Sequence, residues 1–244
     1  MIKYGISSGR VFLPALVVAL TLLVPALLLL IPGPSHSAKK KAKPATPAVV
    51  ITPPKSYRDP VWRKKAAKLK PAMLRLQSGC AAKFLPAEFR FLTTKETSVG
   101  GIGIWPNPVK VGSTNRYLGV FVRVQVPPPS TARAFWDDEN GRMHVIFDAY
   151  GKDIVTMMNR ELAGITDPQI EGAAMIFIYG KRPLTDPDFE SDAEGLLIFI
   201  PRAPLTEFAE LRLRVKNLFE QSDRLRVFKG SEELSNLRLK VLKP

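Results

Sequence analysis

The sequence predicts an α+β domain with a mixed or mostly antiparallel sheet, carried behind an N-terminal membrane segment and a disordered basic tether. Three observations lead there. Residues 11–31 form a single uncharged apolar run, and residues 33–58 mix Pro, Lys and Ala with almost nothing to bury. Beyond Phe84 short apolar runs alternate with turn residues and with two stretches of helical spacing, and no repeat of fixed period is visible.

The run VFLPALVVALTLLVPALLLLI, Val11 to Ile31, would measure roughly 31 Å as a helix, about the thickness of a bilayer core. The apolar part of a cleaved leader is usually shorter, about 7–15 residues, which favours an uncleaved anchor. Pro32, Gly33 and Pro34 followed by the small residues Ser35 and Ser37 favour cleavage. Lys39, Lys40, Lys41 and Lys43 oppose export on a positive-inside count. The position of the run at the extreme N-terminus and the spacer-like KKKAKPATPAVVITPPK after it favour export. The expected location is therefore extracytoplasmic, membrane-anchored if residues 1–32 are kept and secreted or periplasmic if they are removed.

Residues 59–80 read as a basic amphipathic helical segment. Asp59 is placed to cap it and Pro60 to start it, with Val61, Trp62, Ala66, Leu69, Met73 and Leu76 near helical spacing. Arg63, Lys64, Lys65, Lys68, Lys70 and Arg75 take the opposite face, and Pro71 is expected to kink or break the helix. The basic residues between 39 and 75 suit anionic lipid or an envelope polymer. The competing expectation is that the helix packs on the domain and leaves its lysines in water.

Within residues 84–244 the apolar runs predict strands at Phe89–Thr93, Tyr117–Val126, Ala132–Trp136, Arg142–Asp148, Ala173–Tyr179, Leu196–Ile200, Leu225–Phe228 and Leu237–Leu242. Leu118, Val120, Val122, Val124 and Val126 alternate with Gly119, Phe121, Arg123 and Gln125, the pattern of a half-exposed antiparallel strand. AAMIFIY and LLIFI are apolar on both faces and read as interior strands. Helices are expected over Tyr150–Ala163 and Pro204–Gln221. From 142 to 229 the order strand, helix, strand, strand, helix, strand matches a ferredoxin-like βαββαβ arrangement. In that topology the second strand lies at an edge, which disagrees with the interior character of Ala173–Tyr179.

The chain carries 36 Lys+Arg against 22 Asp+Glu, a net charge of +14. Residues 1–80 hold 14 basic residues against Asp59 alone, whereas residues 81–244 hold 22 basic against 21 acidic. The body is electrically ordinary, and nucleic acid is excluded as the expected partner.

With one cysteine, Cys80, and two histidines, His36 and His144, most familiar catalytic and metal arrangements cannot be assembled. His144 reads as a half-exposed strand residue and Cys80 as a small packing residue. GGIGIWP, Gly100 to Pro106, lacks the third glycine of a phosphate loop and reads as a flexible connection. Asp137, Asp138 and Glu139 precede Asn140-Gly141, a hairpin-turn signal. The one site-like cluster is Asp186, Asp188, Glu190, Asp192 and Glu194 at every second position. An extended chain would put all five carboxylates on one face, where a hard cation such as Ca²⁺ would relieve their repulsion. The spacing lacks the glycine of an EF-hand, so a solvated loop is expected, and no catalytic residue, cofactor or metal is assigned. The resulting expectation is a non-enzymatic, membrane-tethered binding or structural domain of the envelope with a protein or envelope partner. The alternatives are a metal-assisted hydrolase using residues 186–194 and a soluble periplasmic binding module released by leader cleavage.

Overall fold

The computed structural model describes residues 49–84, 88–93, 99–107, 112–126 and 138–241. The apolar run at 11–31, the lysine-rich spacer, the strand expected at Ala132–Trp136 and Pro127 to Pro129 lie outside the described residues. Among the described residues no helix is long and apolar enough to cross a membrane.

The strands are β1 (Phe89–Phe91), β2 (Ile102–Pro106), β3 (Arg116–Gln125), β4 (Ile170–Gly180), β5 (Glu194–Pro201) and β6 (Arg224–Lys229). The helices are α1 (Pro60–Lys83), α2 (Glu139–Ile146), α3 (Lys152–Ala163), α4 (Arg202–Ala209), α5 (Val215–Glu220) and α6 (Gly230–Val241). One sheet runs β1-β3-β4-β5-β6, and β2 shares the outer edge of β3 with β1. All neighbours are antiparallel except β3 and β4, which are parallel from Arg116↔Ile170 to Gln125↔Gly180. An α+β domain with a mostly antiparallel sheet is therefore what forms.

The βαββαβ order does not begin at Arg142, because Arg142–Asp148 is helical; β3 opens it instead, and the sequential sheet order β3-β4-β5-β6 is not the ferredoxin-like one. The Asp138 carboxylate caps α2 by accepting from the backbone N–H groups of Asn140 and Gly141, so Asn-Gly opens a helix here and makes no hairpin. Met143, Ile146, Phe147, Tyr150, Ile154 and Met158 then follow helical spacing into the core, through a π-type turn at Phe147–Gly151 that joins α2 to α3. The alternation of Met143, Val145 and Phe147 is the weaker of the two periods. The strand expected at Leu237–Leu242 is likewise helical through Val241, with Leu234, Leu237 and Val241 buried on one stripe. Gly230 makes that possible by turning the chain out of β6 at φ 73°. The helix expected over Pro204–Gln221 is split into α4 and α5 at Leu211, which adopts φ 61° and stands 93% exposed. β3 is buried on both faces over most of its length, since Gly119 and Phe121 are covered as fully as the valines.

Glycines make the residues around β2 a packed strand where a flexible connection was expected. A Cβ on Gly100 would lie 2.3 Å from the Val50 carbonyl, and one on Gly119 would lie 2.1 Å from the Trp105 ring. The backbone of residues 50–52 passes beside Gly100 and bridges Ile51 to Ile102. Tyr57, buried, accepts a 2.8 Å hydrogen bond at its hydroxyl from Ile104 N–H. The end of the expected disordered tether, from Ile51 to Tyr57, is thus part of the folded body.

α1 also belongs to the body. Asp59 caps it through Val61 N–H, and the helix continues through Pro71 to Lys83 without breaking. Trp62, Ala66, Ala72, Met73, Leu76 and Cys80 are buried against the helical layer that α2, α3, α4 and α5 lay over one face of the sheet. The expectation that this segment packs on the domain holds, and a body beginning at residue 84 is too short. The other face of the sheet is closed by α6 together with Phe189 and Ala193 from the β4–β5 connection. Arg202 joins the two ends of the crossover, donating to the carbonyls of Leu162, Ile165 and Ile170 at 2.8–2.9 Å.

Leu76→Ala should therefore cost about 2–5 kcal/mol, the range for emptying a fully buried leucine site, while the exposed Lys64→Ala stays within about 0.5 kcal/mol. Denaturant melts read both. A chain shortened to Lys83–Pro244 should lose cooperative unfolding; a sharp transition with native-like slope would show that α1 is dispensable.

Candidate functional site

β3 and β4 run parallel and finish side by side at Gln125 and Gly180. In open α/β sheets ligands bind outside the carboxyl ends of the parallel strands, and β3 and β4 are the parallel pair among the described strands. A hollow of about 220 Å³ lies there, lined by Val126 after β3, Tyr179, Gly180 and Lys181 at the end of β4, Asp192 and Glu194 entering β5, and Arg142 from α2.

Local structure fixes each polar group. The Asp138 cap sets the first turn of α2 and with it Arg142, whose guanidinium grips Glu194 in two bonds, Nε to Oε2 at 2.9 Å and Nη2 to Oε1 at 2.6 Å. Both side chains are largely buried, and such forked pairing is among the strongest polar contacts available to a side chain. The Glu194 hydrogen bond holds the Arg142 guanidinium above its ordinary pKa. Glu139, one turn earlier, pairs with Lys229 of β6. Antiparallel pairing sets Tyr179 opposite Glu194. The phenol is buried beside Glu194, and its hydroxyl makes no hydrogen bond of good geometry. Burial first, then the charge of Glu194 and its closeness as an acceptor, push its pKa up, so it stays a protonated donor at physiological pH. Lys181 is exposed at the rim and forms no ion pair among the described residues.

The five carboxylates of 186–194 are separated by this architecture. Residues 184–191 form successive turns, with Phe189 buried against the α6 side of the sheet, so the stretch is a loop and not the extended strand that would have aligned all five. Asp186 accepts from Asp188 N–H at 2.8 Å and pairs with Arg182 at 3.5 Å. Glu190 sits between Arg123, at 2.5 Å, and Arg238. Asp192 faces Arg182 at 3.4 Å, and Glu194 is held by Arg142. Arginines relieve the repulsion. Among the described residues no group of three or more His, Cys, Asp or Glu side chains is placed to hold a metal. Of the five, Asp192 and Glu194 reach the hollow.

The remaining candidate residues fall elsewhere. His144 is on α2, half-buried, with its ring 5.4 Å from Phe219. Cys80 is fully buried, and burial pushes its thiol pKa up to about 12, which suits a packing role. Asp138 is a helix cap, Glu139 an ion-pair partner, and Asp137 lies outside the described residues. Arg142, Tyr179 and Lys181 do not stand out as site residues in the sequence. The signal that could have found two of them is the polar tip of an otherwise apolar run, IFIYGK, which ends an interior strand in a tyrosine and a lysine.

No protein-family model, curated protein or solved structure matches this chain, so a functional reading rests on its own residues.

Two carboxylates tie elements together and titrate accordingly. Burial acts to raise the Glu190 carboxyl, but the Arg238 hydrogen bond and the charges of Arg238 and Arg123 outweigh it and hold it below its ordinary 4.5. Burial also opposes Asp167, where Lys65 of α1, 2.6 Å away, prevails and holds it below 3.8. A depressed folded pKa gives stability that is present above the unfolded value and lost as pH falls through the folded one. The melting temperature should hold from neutrality to about pH 5 and fall below about pH 4. Glu190→Gln should flatten that acid limb and lower stability at pH 7; an unchanged acid limb would remove Glu190 from the account.

Proposed function

We propose that this chain is a membrane-tethered, extracytoplasmic binding module whose ligand site is the hollow at the sheet end. The ligand class we assign is a small zwitterion, such as a free amino acid or short peptide terminus. The observation that carries the reading is the buried, protonated Tyr179 hydroxyl, which lies beside Glu194 without a well-formed hydrogen bond, in the lining of a hollow with both signs of charge on its wall. Buried donors are ordinarily satisfied, and one facing a polar hollow calls for a partner from outside. Lys181 supplies a cation for a carboxylate, while Asp192, half-exposed and 3.4 Å from Arg182, supplies an acceptor for an ammonium group. At ~30 Å³ per water, a hollow of about 220 Å³ equals roughly seven waters, room enough for a free amino acid. Arg142 and Glu194 largely neutralise each other and act as a rigid wall, which suits recognition more than proton transfer.

The tether part of the proposal is supported by the 21 uncharged residues from Val11 to Ile31. Carbonate extraction of membranes and a reporter fused after Pro244 test retention and side separately. Release of the chain with its N-terminal peptide intact would remove the anchor, and cytoplasmic reporter activity would remove the extracytoplasmic assignment.

For the ligand, thermal melts of the full chain with millimolar free amino acids and dipeptides are the direct measurement. A member bound at a hundredfold over its Kd should add about 2.7 kcal/mol. Tyr179→Phe should leave the unliganded melting temperature unchanged or higher, since it deletes an unsatisfied buried hydroxyl, yet it should abolish the response. Lys181→Ala should abolish it as well. No response from any member of the panel, or one that survives both substitutions, would overturn the assignment.

A further inference from the structure

We infer that the outer face of α1 is a seat for an anionic phospholipid surface. The helix carries six Lys and Arg residues besides the C-terminal Lys83 and no Asp or Glu over 24 residues. Its apolar stripe is spent on the core through Trp62, Ala66, Met73, Leu76 and Cys80, so the face that meets solvent is the opposite one. Along the crest of that face run Ala67, Pro71, Leu74 and Ser78, at the i, i+4, i+7, i+11 spacing of one helix side, all exposed and uncharged or nearly so. Helical geometry puts Lys64, Lys68 and Arg75 on one flank of the crest and Arg63 and Lys70 on the other.

The partners of these cations decide which charge is available outward. Arg75 is held by Glu161 at 2.8 Å, Lys65 by Asp167 and Lys83 by Asp153, and Arg63 donates to the carbonyls of Tyr57 and Arg58. Lys64, Lys68 and Lys70 make no hydrogen bond or ion pair among the described residues. Three of the four large hydrophobic side chains exposed among the described residues, Val49, Val61 at 53% and Leu74 at 46%, belong to α1 or the segment before it. A shallow apolar crest between lysines fits the headgroup level of a bilayer, where lysine stems lie along apolar surface and ammonium groups reach the phosphates. Charge complementarity selects anionic lipid over zwitterionic lipid, and three free lysines provide the attraction.

This seat narrows the basic stretch that the sequence offered to lipid to three lysines of one helix. The stripe of Trp62, Met73 and Leu76 stays in the protein, and the contact is shallow and electrostatic. It also does not require residues 11–31 to span a bilayer. The 17 residues between Ile31 and Val49 reach at most ~60 Å, so even an anchored body needs a surface of its own to settle its orientation.

The experiment is amine-reactive labelling of the full chain on phosphatidylglycerol vesicles and on phosphatidylcholine vesicles, read at each lysine by mass spectrometry. Lys64, Lys68 and Lys70 should be modified at least about fivefold less on phosphatidylglycerol, the factor expected per basic residue near an anionic surface. Lys216, 82% exposed on α5, should change little. The protection should vanish at 1 M salt, where the screening length is about 3 Å. A second measurement uses Leu74→Cys carrying an environment-sensitive dye, since Cys80 is buried and unreactive. Its emission should shift to the blue on phosphatidylglycerol alone, and Lys64→Gln, Lys68→Gln and Lys70→Gln together should remove the shift while the melting temperature holds. Equal labelling on both lipids, protection that survives 1 M salt, or protection without vesicles through self-association would overturn the proposal. Loss of the anchor would leave the predicted protection intact, so the two readings fail separately.

Discussion

From Ile170 to Gly180 the chain presents apolar side chains alternately to the two faces of the sheet, and burying both at once demands a cover on each side. β4 sets that demand, and most of the architecture answers it. Ala173, Met175, Phe177 and Tyr179 face the larger core, which α2 to α5 share with Met73, Leu76 and Cys80 of α1. Ala174, Ile176 and Ile178 face the smaller core, closed by Leu234, Leu237 and Val241 of α6 and by Phe189. A two-faced interior strand explains why the parallel pairing with β3 is tolerated in a sheet that is otherwise antiparallel, since parallel pairs are found where both faces are covered.

That demand also shows which parts of the fold are legible in the sequence. Runs such as AAMIFIY and LLIFI carry their burial in their composition, and both read as interior strands within a few residues of the observed limits. Where two periods coexist the local pattern misleads: Met143, Val145 and Phe147 alternate as a strand would, while Met143, Ile146, Phe147 and Tyr150 satisfy a helix, and the Asp138 cap favours the helix. The C-terminal run misleads in the same way, because Leu234, ahead of the apolar alternation that suggests a strand, completes the helical stripe with Leu237 and Val241. β2 escapes sequence reasoning because glycines ordinarily argue against a strand. In this chain Gly100 and Gly119 are what let residues 50–52 and the Trp105 ring approach the backbone.

The site is less legible than the fold, and the reason is electrostatic. A carboxylate cluster in one stretch of sequence invites a cation, yet its partners here come from far along the chain: Arg123 from β3, Arg142 from α2, Arg238 from α6. Spacing within 186–194 reports none of them. Conversely, Tyr179 and Arg142 look unremarkable singly and acquire meaning only when the β4–β5 register sets Tyr179 opposite Glu194 and the α2 cap brings Arg142 to the same carboxylate.

The placement of the hollow follows from the same constraint as the core. A strand covered on both faces has only its ends open to solvent, and at the carboxyl end of β4 the side chains change from Ile178 to Tyr179, Gly180 and Lys181. Tyr179 packs in the larger core, with its buried hydroxyl beside Glu194 in the lining of the hollow. Retaining a buried hydroxyl without a bond costs stability, about 1–3 kcal/mol for a group of this kind, and it is the feature of the strand that packing alone does not require. A polar residue held against the interest of the core, at the end of a parallel strand pair and near Lys181, is the feature on which the proposed small-ligand site rests.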